Sequence, residues 1–559
     1  MDKTEHNNVP AVVTDYIDAI IKKMRYRKKV RAEVRRELAD HFADALAGCN
    51  NDDERNAQAQ AMIEEFGDAM LLGVLLRRAK KRCRPLWRTL IVRAFQMVGI
   101  LFMMLILYIG WFFSGRPIIT TNYLEVMNSQ VRPVADDNQN ARPFYRKAID
   151  AFVLPPTLPP ADDPSLPPEL QPAAPEVLDI SPRPLATMTS QEKQFLADWL
   201  AANEQSETLI RQGNRKPYYW QTYSTNSETS ELMGVLLPDL ADYRRLANLL
   251  CMKALWQAQH GQLNDSLDTV LESYQFGRHL HNKNILIEQL VAIAIKANAM
   301  KSMRIILAEH ADQLDKTTLT AVRNHLAEIV STEDFLIGFE GEKLFMYDEI
   351  QRSFTQTRIG SSHLFIQRIS RLGSLTGSDY GAAGQWFHIL FTHPDREETL
   401  AAADRFYAAM DEFARYSPAQ LRQKGININE RVEELIKGNF FLSILIPALE
   451  RVAEVAHRSK AESLATLAVL AILEYQKQSG SLPQSLDALV SSGLLQSVPV
   501  DPYSNQPLVY KITDAGFTLY SVGPNFNDDD GVMGTDEQGR PRQWSTNSDM
   551  LFWPVPERE

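Results

Sequence analysis

Between Ala94 and Phe113 the chain reads AFQMVGILFMMLILYIGWFF, a run with no charged residue and a single amide, Gln96. A hydrocarbon layer about 30 Å thick needs roughly 20 helical residues at 1.5 Å rise, and this run has that length. A helix buried in a soluble core rarely stays apolar on every face for so long, so the pattern predicts one membrane span over residues 91–113. Trp87, Tyr108 and Trp111 lie near its ends, where amphipathic rings favour the headgroup layer. The run has no GxxxG pair, and Gln96 is its only polar side chain, so it offers neither a close-packing dimer face nor an ion path.

The flanks predict a direction. Arg77, Arg78, Lys80, Lys81, Arg82, Arg84, Arg88 and Arg93 precede the run, whereas only Arg116 and Arg132 follow in the next stretch. Cationic flanks stay on the cytoplasmic side, which puts residues 1 to about 90 in the cytosol and the bulk of the chain outside a bacterial inner membrane. No small-residue cleavage motif follows the run, so the anchor is expected to be kept. Residues 1–93 carry 19 Lys and Arg against 14 Asp and Glu, while the rest carries 40 against 56. The basic head suits an anionic membrane surface, and the acidic remainder argues against nucleic acid as a partner. Cys49 and Cys83 fall before the span and Cys251 after it, so no disulfide framework is expected.

Within the head, residues 1–85, Tyr16, Ile17, Ile20, Ile21 and Met24 recur at helical spacing, as do Val30, Val34, Leu38, Phe42 and Leu46. Asn50-Asn51-Asp52-Asp53 supplies a turn and cap, Ala57, Ala61, Met62 and Phe66 a further apolar face, and Gly67 a stop. The segments VRAEVRRELADHFADAL and AQAMIEEFGDA resemble the small helical prefix domains found before membrane spans in bacterial permease-like and anti-sigma-like proteins. That resemblance implies no catalytic residues. His41 has no Cys or second His at metal spacing and reads as a solvated or capping side chain.

After the span comes a connector, 114–153, in which ARPFYRKAIDAFV reads as a helix. Prolines then crowd positions 155 to 184, a density that forbids helix and makes 154–184 an extended spacer. Residues 185–436 read as a body of helical hairpins, with helices over Leu240–His260, Leu263–His279 and Ile285–Leu307 and a capping signal at Ser190. ALWQAQHGQLNDSLDTVLESY has a tetratricopeptide-like rhythm, but no second copy follows at a 34-residue period. His279 and His281, one residue apart, face opposite sides of a helix and cannot share a metal. Glu288 inside ILIEQLVAIAI, and Glu340 and Glu342 after FLIGF, are the carboxylates whose burial would tune them as acids or bases. The glycines at 360, 373, 377, 381 and 384 form no phosphate-binding motif, and there is no GxSxG, HExxH or CxxC.

In the tail, 437–559, GNFFLSILIP is too short to span and should pack on the body. A long helix over about 449–478 stops at Gly480, a short helix follows Leu482-Pro483, and strands at Leu508–Ile512 and Phe517–Val522 flank an Asp514-Ala515-Gly516 turn. This order resembles the globular part of the major pseudopilin of type II secretion systems. Tyr475, Gly480 and Pro483, the run Asp501 to Leu508, Tyr520-Ser521-Val522-Gly523, the acidic loop Asn525 to Gly531, and Asp549-Met550 carry it. The resemblance implies calcium in the loop after the hairpin, with Asp528, Asp530 and Asp549 as ligands and Asn525 and Asn527 beside them. The spacing Asp528-x-Asp530-Gly531-x5-Glu537 agrees with hard oxygen donors on a tight loop, but Phe526 stands where an EF-hand has its first ligand. The tail also departs from a pseudopilin. Its apolar helix is internal to the chain, and the fifth residue beyond Lys437-Gly438 is Ser443 rather than Glu, which speaks against assembly into a filament.

The expected fold is therefore mostly α: a cytosolic helical head, one transmembrane helix, an extracytoplasmic helical-hairpin body and a small α+β C-terminal domain. The layout resembles families of single-pass envelope proteins in planctomycete-type bacteria. The leading functional expectation is a non-enzymatic inner-membrane protein whose outer domains bind a protein partner of the secretion or cell-surface machinery, with calcium steadying the tail. The alternatives are an anchored enzyme using Glu288, Glu340 or Glu342, and a signal transmitter acting through the head.

Overall fold

The computed structural model describes residues 9–82, 86–133, 135–158, 176–226, 230–281, 284–356, 362–369, 390–446, 450–536 and 542–555. The chain is mostly helical and divides into two compact units, residues 1–111 and 112–559. Most of the proline tract, the glycines between 360 and 384, Cys83 and Glu537 lie outside the described residues.

In the first unit α1 (Ala11–Met24) buries Val13, Ile17, Ile20, Ile21 and Met24. Val34 and Phe42 of α2 (Lys28–Ala45) and Ala59 of α3 (Asp52–Phe66) close over that face. The side chain of Asn51 caps α3 by accepting the Glu54 N–H at 2.8 Å, and Gly67 ends it with φ +78°. His41 stacks edge-on against Phe66, centroids 5.6 Å apart. A fourth helix, α4 (Ala69–Arg82), was not foreseen from the sequence. It packs on α1 through Gly73, where an added Cβ would come within 2.7 Å of the Ile20 carbonyl oxygen. Glycine lets two backbones approach at the position where a side chain would have announced an apolar face.

The helix α5 (Leu86–Phe112) contains the apolar run. Its segment Leu90–Phe112, 23 residues, is long and apolar enough to cross a membrane, and its most apolar stretch is not buried inside the molecule. Phe95, Val98, Phe102 and Leu107 are among its exposed side chains.

The second unit opens with α6 (Tyr123–Val131) and α7 (Arg142–Asp150), then a two-residue antiparallel ribbon, β1 (Thr157–Leu158) with β2 (Glu176–Val177). Next, α8 (Ser190–Ala202) starts at a capping box formed by Thr189 and Glu192, one residue before the expected Ser190, and α9 (Glu204–Asn214) follows. Three helices, α10 (Leu240–Gln259), α11 (Leu263–Leu280) and α12 (Leu286–His310), pack as consecutive hairpins, as the sequence pattern predicts. They are followed by α13 (Lys316–Ser331), α14 (Glu340–Ser353), α15 (Arg396–Phe413), α16 (Pro418–Gln423), α17 (Ile428–Ile436) and α18 (Phe440–Leu445). Phe441 and Leu442 of α18 are fully buried and Phe441 lies edge-on to Phe354, so this part of the apolar segment does pack on protein.

The tail holds α19 (Glu450–Ser479), α20 (Leu486–Ser491) and an antiparallel sheet ordered β3 (Val509–Thr513), β4 (Gly516–Ser521), β5 (Met550–Trp553). Gly480 and Gly516 occupy the positive-φ positions that end the helix and turn the hairpin, at +72° and +135°. The strand β5 was not anticipated, because only four residues pair and a long acidic loop separates them from the hairpin. Residues on both sides of the expected 436/437 boundary share one hydrophobic core. Leu267, Leu271, Met303, Ile306 and Leu326 of the hairpins join Ala465, Leu470 and Ile472 of α19 and Leu519 and Phe552 of the sheet. Arg304 donates to Thr466 at 2.8 Å and Arg323 to Glu474 at 2.6 Å, both buried, so charges as well as methyl groups cross this seam.

Candidate functional site

A groove of about 650 Å³ runs along the seam. Ala327, Val330 and Phe335 line one side, and Leu464 and Leu467 of α19 with Leu495 line the other. Glu333, just past the end of α13, stands at its edge with its side chain only 2% exposed. One carboxylate oxygen receives the ammonium of Lys296, itself 1% exposed, and the other receives the Tyr274 hydroxyl at 2.6 Å. The Tyr274 hydroxyl also meets Ser463 Oγ at 2.9 Å, and the Lys296 ammonium sits 5.2 Å over the Phe335 ring.

Desolvation pulls the Lys296 ammonium below the usual lysine range, and the Glu333 carboxylate works against that pull. The same burial, with Glu333 beside it, drives the Tyr274 phenol well up. The three side chains are held by one another, the ammonium and the phenol each donating to one carboxylate oxygen. The cluster ties α11, α12, the end of α13 and α19 to one point. Sequence reading singled out Glu288 on α12 and passed over Lys296, two turns further along the same helix. The available signal was a lone lysine within the apolar stretch VAIAIKANAM.

The three glutamates named from the sequence do not meet in a cleft. Glu288 is 3% exposed and accepts from Gln221 and, at 2.5 Å, from the Tyr223 hydroxyl. Glu342 accepts the Leu286 N–H at 2.8 Å, and burial pushes its carboxyl up. Glu340 is on the surface at the start of α14. None of them lines the cavities of about 450, 650 and 400 Å³. Further along α14, Asp348 takes Arg352 at 2.9 Å and the Leu232 N–H at 2.8 Å, while Arg368 bridges Glu349 and Glu231. This buried ionic knot is a second polar feature that periodicity alone did not reveal.

The acidic loop of the tail is held by its own hydrogen bonds. Asp549 is buried and accepts the N–H groups of Asp529 and Gly531, the latter at 2.7 Å. Burial, with Asp529 and Asp528 nearby, pushes its carboxyl up. Asp528 accepts the Tyr520 hydroxyl at 2.8 Å, and Asp530 pairs with Lys511 at 2.7 Å. Asn525 donates to Asp529 at 2.6 Å, and the Asn525 side chain accepts the Asn527 N–H. Among the described residues no three His, Cys, Asp or Glu side chains are disposed to hold a metal ion, and a cation on this loop would have to draw Asp530 away from Lys511.

His279 belongs to a different place. It lies against a cavity of about 450 Å³ bounded by α11, the end of α6 and the segment 216–219. The Tyr145 hydroxyl meets its Nδ1 at 2.6 Å and the Gln275 amide its Nε2 at 2.9 Å. Burial and the neighbouring Arg278 push it down to about 4, so the ring is neutral at pH 7. Cys251 is buried with Sγ 3.5 Å from Ser273 Oγ, and no disulfide occurs among the described residues. Comparisons with protein-family models, with curated proteins and with solved structures find no match to this chain.

Proposed function

We propose that the chain is a non-catalytic, single-pass protein of a bacterial inner membrane, with the head in the cytosol and an outer unit that binds a protein partner of the secretion or cell-surface machinery. The observation that carries this reading is the helix Leu90–Phe112, apolar and unburied, with its cations gathered before it and a large, separately cored unit after it. A helix of this kind is stable only where lipid replaces water around its side chains. The mutual engagement of the buried acids and bases of the outer unit supports a structural part for them. The resemblance of the tail to a pseudopilin supports the class of partner.

Crosslinking in native membranes followed by mass spectrometry tests the partner, and protease treatment of spheroplasts tests the sidedness. The reading expects residues 112–559 to be digested, residues 9–82 to be protected, and one extracytoplasmic protein to be recovered reproducibly. Protection of the large unit, or crosslinks only to cytosolic proteins, overturns it. On the resemblance of the tail alone we extend the proposal to a calcium ion at Asp528, Asp530 and Asp549. Melting the full chain with Ca²⁺ and with chelator checks this, and an unchanged midpoint excludes a structural ion.

A further inference from the structure

The cavity beside His279 is lined on several sides by cations and amides. Lys216 and Arg278 both face it, Gln130, Gln275 and Asn284 contribute amides, and no Asp or Glu is among its lining residues. Neither cation has a carboxylate partner among the described residues. The Arg278 guanidinium reaches only the Gln275 amide oxygen, at 3.5 Å, and the Lys216 ammonium lies 5.1 Å over the Phe144 ring. Elsewhere in the unit Arg146, Arg183, Arg211, Arg323, Arg352, Arg368 and Arg458 pair with acids, while Arg304 donates to Thr466 and Arg422 lies over the Phe526 ring.

The walls are held in place independently of any ligand. The Asn140 side chain donates to the Trp220 carbonyl at 3.0 Å and accepts the Trp220 N–H at 3.2 Å, and the Ala141 N–H donates to the Tyr218 carbonyl at 2.8 Å. This strings the segment carrying Lys216 along the start of α7. On the opposite side Tyr145 and Gln275 fix the His279 ring, and Tyr145 is itself held by donating to Asn214 at 2.7 Å. With His279 neutral, the lining of the cavity holds two cationic residues and no acidic one. A guanidinium and an ammonium carried by lining residues of one cavity suit the oxygens of a carboxylate or phosphate, which such groups bind through charge-assisted hydrogen bonds.

We propose that this cavity binds a small oxyanion, a carboxylate or phosphate group, through Arg278 and Lys216. On the same helix as Arg278, Glu272 accepts from Asn214 and pairs with Arg211 at 3.7 Å, so it is neutralised from its own side, and the Glu333 carboxylate is taken up by Lys296 and Tyr274. The site is independent of the partner-binding reading above, and its test does not require that partner.

The test uses the full chain in detergent, in a buffer free of both probes, titrated with sodium phosphate or with sodium acetate at ionic strength held constant with NaCl. The two arms distinguish a phosphate site from a carboxylate site. A saturable rise in melting temperature of roughly 1–2 °C at tenfold the dissociation constant is expected in one arm. It should vanish in Lys216→Gln/Arg278→Gln, persist in Arg278→Lys at higher probe concentration, and be unaffected in Arg245→Gln, whose side chain pairs with Asp242 elsewhere. No saturable rise in either arm, or the same rise in the double variant, overturns the proposal. Should the double variant misfold, phenylglyoxal labelling of the wild-type chain decides. Arg278 is expected to be protected by the effective probe and not by NaCl, and equal labelling with and without the probe overturns the site.

Discussion

At the residue scale, the Lys296–Glu333 pair shows how a buried charge is tolerated. The ammonium is 1% exposed and the carboxylate 2%, so each is costly alone and acceptable only with the other. Lys296→Met should lower stability by about 3–5 kcal/mol, because it takes the ammonium from the Glu333 carboxyl group in a dry site and leaves Tyr274 as its remaining side-chain donor among the described contacts. Lys296→Met/Glu333→Gln should recover most of that loss, and denaturant melts of both variants check the pair. The His279 ring gives a pH signature. Its folded pKa of about 4 lies below its unfolded value near 6.5, so between those values the unfolded chain binds more protons. Stability attributable to His279 is intact above pH 6.5 and is lost as the pH falls toward 4. The melting temperature of His279→Gln should therefore drop less than that of wild type over this window, and parallel curves would exclude the assignment. These residues were hard to read from sequence for a common reason. A lysine in an apolar helix, or a histidine beside an arginine, has no meaning until the partner arrives from another helix, as Glu333 does from 37 positions away.

At the element scale, most helices were legible because their apolar spacing and their stops coincide. The α19 helix ends where Gly480 takes φ +72°, and the β3–β4 hairpin turns at Gly516 as the Asp-Ala-Gly signal predicts. Several elements went unplaced, and two of them escaped because their contact uses small residues or their pairing is remote. The α4 helix approaches α1 through Gly73, and β5 joins β4 only after the chain has made the loop that holds Asp528 and Asp530. Glycine at a close approach also predicts a strong effect of a single methyl group. A Cβ at Gly341 would lie 2.0 Å from the Asn284 carbonyl oxygen, so Gly341→Ala must push α14 away from the turn before α12. A loss of about 1–3 kcal/mol is expected, the usual cost of overpacking, read as a lower denaturation midpoint than wild type. In contrast, Gly261→Ala meets nothing within 4 Å and is opposed only by its φ of +75°, so its cost should be smaller.

At the scale of the whole molecule, the sequence revealed the partition into a basic head, an apolar helix and an acidic remainder, and the structure divides the chain at 111/112, the end of that helix. It did not reveal that the body and tail share a core, because apolar periodicity tells which face is buried and not what it is buried against. The shared core has a consequence for how the protein is made. Residues that must meet across the seam are far apart in the chain: Arg304 and Thr466 by 162 positions, Arg323 and Glu474 by 151. Until α19 arrives, Leu271, Met303 and Leu326 have only part of their packing. A chain ending at residue 436 should therefore be degraded or aggregate in its large unit, with pulse-chase half-life as the measurement, while residues 9–82, which have their own core, stay folded. Synthesis proceeds from the amino end, so the hairpins emerge first and wait for α19 and for the strand Met550–Trp553. The large unit thus completes its folding only after Met550–Trp553 has been made, and a chain cut short before that strand by a premature stop codon is marked for disposal by its open core.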